Sequence, residues 1–307
     1  MEQVIITKLK TMRLNLIEDA DMSKYTSFRA GGHAAALVEV ENTEELKAVL
    51  QMVTAENIPH LVIGNGSNIL FKDSGYDGVV IKLAAEGFEY AEYEPGDQED
   101  VSLIRVGTAM KNGVLAKMLQ QDSLTGFEFA SGIPGSIGGA VFMNAGAYGG
   151  EMKDIVKSVK TISPDGREER IFTAEEMDFS YRHSILEENG YIAVEVTLQL
   201  KKGDKEEITA TMRDLLEKRN TKQPVNYPSA GSTFKRPEGY FAGKLVEDAG
   251  LKGLTVGGAQ VSTLHSGFVI NIGGATATDI LQLMALVQNT VYDKFGVMLE
   301  PEVRIIG

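Results

Sequence analysis

The last residues of the chain carry an acid and a base at the spacing of a β-strand. Leu299-Glu300-Pro301-Glu302-Val303-Arg304-Ile305-Ile306 alternates polar and apolar side chains. A period of two puts Glu302 and Arg304 on one face, with Val303 and Ile305 on the other. Side by side, a carboxylate and a guanidinium can serve catalysis, or they can form an exposed ion pair of small energetic value. A further arginine, Arg182, sits in Phe179-Ser180-Tyr181-Arg182-His183-Ser184. A proline-punctuated loop, Pro228-Ser229-Ala230-Gly231-Ser232-Thr233-Phe234-Lys235-Arg236-Pro237, displays a serine beside two cations.

Two glycine-rich stretches have the composition of backbone cradles. Ser131 to Gly150 reads S-G-I-P-G-S-I-G-G-A-V-F-M-N-A-G-A-Y-G-G, with seven glycines and no charge, and Ile133, Ile137, Val141, Phe142 and Met143 as apolar anchors. Glycine serves where the chain needs positive φ or where another group must approach the main chain closely. The second stretch is Gly64-Asn65-Gly66-Ser67-Asn68, after the strand pattern His60 to Ile63. Its run of N–H groups and small polar side chains suits a pyrophosphate, although a plain tight turn has the same composition. It is not a dinucleotide fingerprint of the Rossmann type, because Ile69 stands where the third glycine belongs. Gly239 to Lys244 likewise fails as a phosphate loop, being one residue short and followed by Leu245 in place of the hydroxyl that holds magnesium.

The elements that must carry these residues follow from periodicity. Asn42 to Asn57 reads as a helix with Leu46, Val49, Leu50 and Val53 on one face and Asn42 with Glu45 as a capping box. Strands are expected at Ala36–Val40, Val79–Leu83, Ser102–Val106, Ile155–Ile162, Tyr191–Leu200 and Gly267–Ile272. Helix stripes run through Val114–Leu119, Ile208–Leu216, Lys244–Asp248 and Ile280–Val291, the last starting near Thr278-Asp279. Glu86 to Asp100 reads as a solvated acidic loop, and Thr173 with Glu176 as another capping box. The charged bridge Lys201 to Lys205 is the expected domain boundary.

At 307 residues the chain has room for two domains, and 43% hydrophobic with 24% charged residues is the composition of a globular protein. A net charge of −13 argues against nucleic-acid binding, so an anionic ligand needs locally placed cations. With no cysteine, thiolate catalysis, disulfides and iron–sulfur clusters are excluded, and any redox chemistry needs a bound cofactor. No metal site is expected. The first twenty residues lack a signal-peptide core and no run approaches 18 apolar residues, so a cytoplasmic protein is expected.

Taken together, Thr26-Ser27-Phe28-Arg29-Ala30-Gly31-Gly32, Gly64 to Asn68, Ile133 to Gly139, Asn144 to Gly149, Ser180-Tyr181-Arg182, Ala230-Gly231-Ser232 and Leu299 to Arg304 resemble, in order, the motifs of the UDP-N-acetylenolpyruvoylglucosamine reductase (MurB) family. The length is that of its shorter, type II branch. The resemblance implies an α+β fold: a two-lobed FAD-binding domain of the vanillyl-alcohol-oxidase (PCMH) type over residues 1–200, with lobes of about 1–80 and 81–200. A C-terminal α+β substrate domain would cover 201–307, its last strand returning toward the flavin. The implied activity is NADPH- and FAD-dependent reduction of an enolpyruvyl UDP-sugar in peptidoglycan precursor synthesis. Ser232 matches the proton donor, with Arg182 and Glu302 the other catalytic positions. Gly64, Asn65, Gly66, Ser67, Asn68, Pro134, Gly135, Ser136, Gly138 and Gly139 would face the FAD pyrophosphate, with Asn144, Ala145 and Gly146 near the flavin. Arg304, Arg236 and Lys222 are carried over as substrate contacts, Lys222 from the loop ahead of Ser232. Two alternatives stay open at this point: another flavin oxidoreductase of the same fold superfamily, and a non-catalytic sugar-nucleotide binder.

Overall fold

A computed structural model describes residues 2–96 and 100–307. The chain divides into two compact units that are not contiguous in sequence. Met1–Ile17, Ala36–Gly64 and Gly78–Lys218 form the first, and Glu18–Ala35, Asn65–Asp77 and Arg219–Gly307 the second. The charged bridge at Lys201 to Lys205 is not where these units divide. The strand Ile192–Lys202 runs into it, and the helix Lys205–Lys222 follows directly.

The first unit holds two apolar cores. One collects Leu9, Val38, Val79 and Ile81 with Leu46, Val49, Leu50 and Val53, the stripe expected of the helix Thr43–Ala55. That helix is capped as its sequence requires: Asn42 Oδ1 accepts from Glu45 N at 2.9 Å, and Glu45 accepts from the Glu41 amide at 2.8 Å. These residues pack on a four-stranded sheet in the order Asn15–Asp21, His33–Val40, Tyr76–Leu83, His60–Ile63. The other core lies under an antiparallel sheet in the order Glu169–Thr173, Val156–Ile162, Ile192–Lys202, Val101–Gly107, Ala91–Pro95. Leu124–Thr125 pairs with the far end of Ile192–Lys202.

The structure overturns the solvated-loop expectation for Glu86 to Asp100. Ala85–Phe88 is helical, Ala91–Pro95 is a strand paired with Val101–Gly107, and residues 97–99 lie outside the described residues. The acidic side chains hid the strand because their compensating charge comes from a neighbour. Arg105 pairs with Glu92, with Glu94 at 2.9 Å and with Glu195 at 3.5 Å. Thr173 and Glu176 do exchange hydrogen bonds, but around a turn and not at a helix start.

In the second unit a three-stranded antiparallel sheet, Thr255–Val256, Ala259–Val261 and Val269–Asn271, packs with the helices Ala242–Asp248 and Ala277–Phe295. Phe28, Ala30 and Leu70 share that core with Ile280, Met284, Val287 and Leu299, which is why two N-terminal stretches group with the C-terminal part. A parallel pair joins Arg304–Ile306 to Ile69–Phe71. The long helix begins at Ala277 under a capping box of Thr276 and Asp279. Its next two free amides are taken from afar by Asp73, whose carboxylate accepts from Ala277 N at 2.9 Å and Thr278 N at 2.7 Å. No described helix is long and apolar enough to cross a membrane.

Candidate functional site

Within the first unit the glycine window is an extended loop that turns into the short helix Ile137–Phe142. It is docked by its own amides. Ile137 N donates to Met110 O at 2.9 Å and Gly138 N to Thr108 O at 3.0 Å, while Asn112 N donates to Gly135 O at 3.2 Å. Gly138 is therefore required for close packing: a Cβ there would stand 2.9 Å from Thr108 Cβ. Its amide is engaged and is not available to a ligand, unlike the sequence expectation. Gly64 meets the same loop, where a Cβ would stand 2.5 Å from Ser136 Oγ.

This wall carries polar atoms that the described residues leave unsatisfied. Ser136 Oγ, Ser131 Oγ and Asn112 Oδ1 are buried without a hydrogen-bond partner. Buried polar groups are nearly always paired, so three orphans around one glycine-lined loop mark a surface shaped for a polar ligand. Ser136 stands at the start of its helix, yet its hydroxyl makes no cap bond. A cofactor rich in hydroxyl and phosphate oxygens fits these atoms, two serine hydroxyls that can donate and an amide oxygen that can accept. Asn112 and Ser131 were not singled out by sequence, and only their place beside the window hints at them.

Asn144 has a different role from the one expected of it. It is fully buried in a left-handed conformation, φ 41°, and its side chain is saturated. Nδ2 donates to Glu151 and to Ser180 O, both at 2.9 Å, and Oδ1 accepts from Lys153 N at 2.9 Å. The neighbouring Ala145 amide donates to Ala140 O at 2.7 Å. Asn144 thus ties the window to the turn Ser180–His183, whose end residues exchange backbone hydrogen bonds at 3.2 Å. That turn presents Arg182, itself left-handed at φ 56°. Arg182 Nη2 donates to Gly146 O at 3.4 Å, and the guanidinium lies 5.0 Å from the centre of the Tyr181 ring. Glu151 is held below the usual carboxylate range by its hydrogen bond to Lys153, with Asn144 and the charges of Lys153 and Arg182 adding to it against the effect of burial.

Within the second unit Ser232 and Glu302 are brought together by backbone pairing. Thr233 N donates to Gly267 O and Glu302 N donates to Thr233 O, both at 2.9 Å, and Lys235 N donates to Glu300 O at 2.8 Å. Thr233 Oγ1 accepts from Val269 N at 2.8 Å. Thr233 and Phe234 are buried, so Ser232 is presented on an anchored ledge while remaining exposed itself. Gly231 precedes it at φ 78°, with open space where a Cβ would lie. The loop start is pinned by Ser27 Oγ, which donates to Ser229 O at 2.6 Å, and by Asn271 N, which donates to Pro228 O at 2.9 Å. Below Gly267, His265 Nδ1 accepts the Gly267 amide at 3.1 Å, and burial pushes this imidazole's pKa down, favouring the neutral acceptor.

The alternation expected over Leu299 to Ile306 does not hold. The regular strand is only Arg304–Ile306, and a bend at Val303 breaks the pleat. Val303 is 4% exposed while Ile305 is 37% exposed, so these two do not share a face, and the period-two argument for Glu302 and Arg304 falls with it. Glu302 is placed by its backbone instead. Lys222 is in the last turn of the helix Lys205–Lys222 and not in the loop that follows. Arg236 is exposed, with its guanidinium 4.2 Å from the centre of the Phe241 ring. Asn65 to Asn68 belong to this unit as well. The Gly66 carbonyl accepts from Ser27 N at 3.1 Å, and the Asn68 side chain donates to Glu302 O at 3.0 Å.

A family model described as an FAD binding domain matches residues 34–171, and the C-terminal domain of UDP-N-acetylenolpyruvoylglucosamine reductase matches residues 223–306. The UDP-N-acetylenolpyruvoylglucosamine reductase of Clostridioides difficile (strain 630) is 55% identical over 291 residues, which are 94% of this chain and 92% of the relative. The chain belongs to the UDP-N-acetylenolpyruvoylglucosamine reductase family. Its counterpart in Alkaliphilus oremlandii (strain OhILAs) is 50% identical over 302 residues, covering 98% of this chain and 96% of the relative. The crystal structure of the Thermus caldophilus member superimposes with a TM-score of 0.80 at 36% identity, covering 96% of this chain and 99% of that one. The α+β fold with an FAD-binding domain is thereby established for a reductase of this family.

Proposed function

We infer that this chain reduces the enolpyruvyl ether of UDP-N-acetylglucosamine to the lactyl ether of UDP-N-acetylmuramate, using FAD and NADPH, in peptidoglycan precursor synthesis. The observation that carries the reading is near-full-length family membership, supported by a glycine-lined wall of orphaned polar atoms and by an exposed serine in a loop hydrogen-bonded to the Glu302 backbone. The glycine-lined segments named below would hold FAD, which when bound would supply the redox chemistry, passing hydride from NADPH to the terminal carbon of the enolpyruvyl double bond.

The chain's own residues handle the charge and the proton. Hydride addition at the terminal carbon leaves electron density on the carbon next to the carboxylate, and Ser232 Oγ delivers a proton there, to be replaced from solvent. An alcohol is a weak acid, so the site must favour the developing enolate. Arg182 and Glu302 are assigned to polarise the substrate carboxyl, with Arg304 supporting them through its forked donor geometry. Arg236 and Lys222 are assigned to the substrate's diphosphate. For the cofactor, Gly64, Asn65, Gly66, Ser67 and Asn68 contribute close-approach backbone, and Pro134, Gly135, Ser136 and Gly139 the window wall. Gly138, Asn144, Ala145 and Gly146 hold that wall in shape. Residues 1–200 are read as the FAD-binding domain and 201–307 as the substrate domain, with the reaction in the cytoplasm.

The test separates the two half-reactions by stopped-flow flavin absorbance. Ser232→Ala is expected to keep flavin reduction by NADPH within about threefold, and to slow reoxidation by the enolpyruvyl sugar nucleotide by about 10²–10⁴-fold, the usual span for a lost general acid. Unimpaired reoxidation would remove Ser232 from the proton-donor role.

A further inference from the structure

Glu302 lies where regular pairing has stopped. Between the isolated contact at Pro301 and the strand that begins at Arg304, the chain bends, and no ladder fixes the Glu302 peptide. Two segments hold it instead. Its N–H donates to Thr233 O at 2.9 Å, in the residue after Ser232. Its C=O accepts from Asn68 Nδ2 at 3.0 Å, and the backbone C=O of the same Asn68 accepts from Arg304 N at 3.0 Å. One asparagine therefore grips both sides of Val303 across 234 positions of sequence.

We propose that Asn68 is a positioning residue for Glu302: its side-chain amide sets the Glu302 peptide, and through it the carboxylate, while any contact of this turn with the cofactor runs through its backbone. The inference rests on the reading of Glu302 as a catalytic carboxylate. A primary amide is the group that does this. It reaches a carbonyl with an N–H, while the main-chain carbonyl of the same residue accepts from the returning strand. Aspartate has the same shape but would set two acceptors against each other at the Glu302 carbonyl. Because Glu302 N–H is bound to the serine loop, a slackened Glu302 peptide changes its distance to the reacting carbon without unseating the fold.

The experiment uses the FAD-loaded enzyme and its apoprotein. Asn68→Ala and Asn68→Asp are expected to slow flavin reoxidation by the enolpyruvyl sugar nucleotide about tenfold, the effect of one lost hydrogen bond on a positioned group. Flavin reduction by NADPH and the FAD dissociation constant, read by flavin fluorescence on reconstitution, are expected to stay within about threefold. The deciding arm is Glu302→Gln. In that background, with the carboxylate charge already gone, Asn68→Ala is expected to slow reoxidation further by less than about twofold. An undiminished tenfold effect in that background would overturn the proposal, as would a tenfold loss of FAD affinity with both half-reactions impaired. A Glu302→Gln enzyme that reoxidises at the wild-type rate would instead overturn the catalytic reading of Glu302 itself. Asn68→Asp keeps the shape of the residue, so it supplies the answer if Asn68→Ala fails to fold.

Discussion

Removal of the Asp73 carboxylate should destabilise the second unit in a way that depends on pH. Asp73 Oδ1 accepts from Ala277 N, and Oδ2 accepts from Thr278 N and from Thr278 Oγ1 at 2.5 Å. The helix Ala277–Phe295 has its own capping box, which serves the amides of Thr276 and Asp279 on either side of Ala277 and Thr278. Asp73 alone is seen to take the first two, and a negative charge there also meets the positive end of the helix dipole. Loss of a capping side chain costs about 1–2 kcal/mol, which for a unit of this size is about 2–8 °C in midpoint. Asp73→Ala should show the full effect, and Asp73→Asn about half, since one oxygen remains. The sign with pH follows from the pKa. Burial raises it, but the Thr278 and Ala277 hydrogen bonds outweigh burial and hold Asp73 below its ordinary 3.8. Its ionised form therefore stabilises the fold above that value, and the contribution is lost as pH falls through the lower folded-state value. Thermal melts at about pH 7, 5 and 3 should show a constant gap between wild type and Asp73→Asn at the first two and a narrowing gap at the third. A gap that is the same at all three, or missing at neutral pH, would refute the charge-based account.

Asn144→Ala removes hydrogen bonds to the half-buried Glu151 carboxylate, to the Ser180 carbonyl and to the Lys153 amide, and it places alanine at positive φ. A loss of about 2–4 kcal/mol is expected in urea titration of the first unit, and a loss under about 1 kcal/mol would show that water replaces the asparagine. Gly64→Ala should weaken FAD binding at least tenfold while the apoprotein melts within about 2 °C of wild type, because the new methyl meets only the end of the Ser136 side chain. Unchanged flavin affinity would remove Gly64 from the cofactor wall.

Much of the fold was legible because periodicity and capping agree locally. Leu46, Val49, Leu50 and Val53 announced their helix, and the Asn42–Glu45 pair announced its start. What failed has a common origin in long-range partners. The strand Ala91–Pro95 looked solvated because its carboxylates find their cation at Arg105 on the adjacent strand. Glu302 looked positioned by strand alternation, whereas Thr233 and Asn68 position it from distant parts of the chain. The window was recognisable from its glycines as a place of close approach to the main chain, as at Gly138 and Gly150. Which of its amides are already engaged, as at Gly138, depends on Thr108 and Met110, and no local pattern reports that.

The parallel pairing of Ile69–Phe71 with Arg304–Ile306 bears on how the chain is made. Leu70 and Phe71 are completely buried in the finished protein, yet their strand partner is synthesised only after residues 72–303. During translation that segment emerges with its hydrogen-bonding edge and two large apolar side chains unmatched until residues 304–306 follow. Such a chain exposes a sticky strand over that whole interval, so slow elongation between the two segments should favour aggregation or chaperone capture over completion.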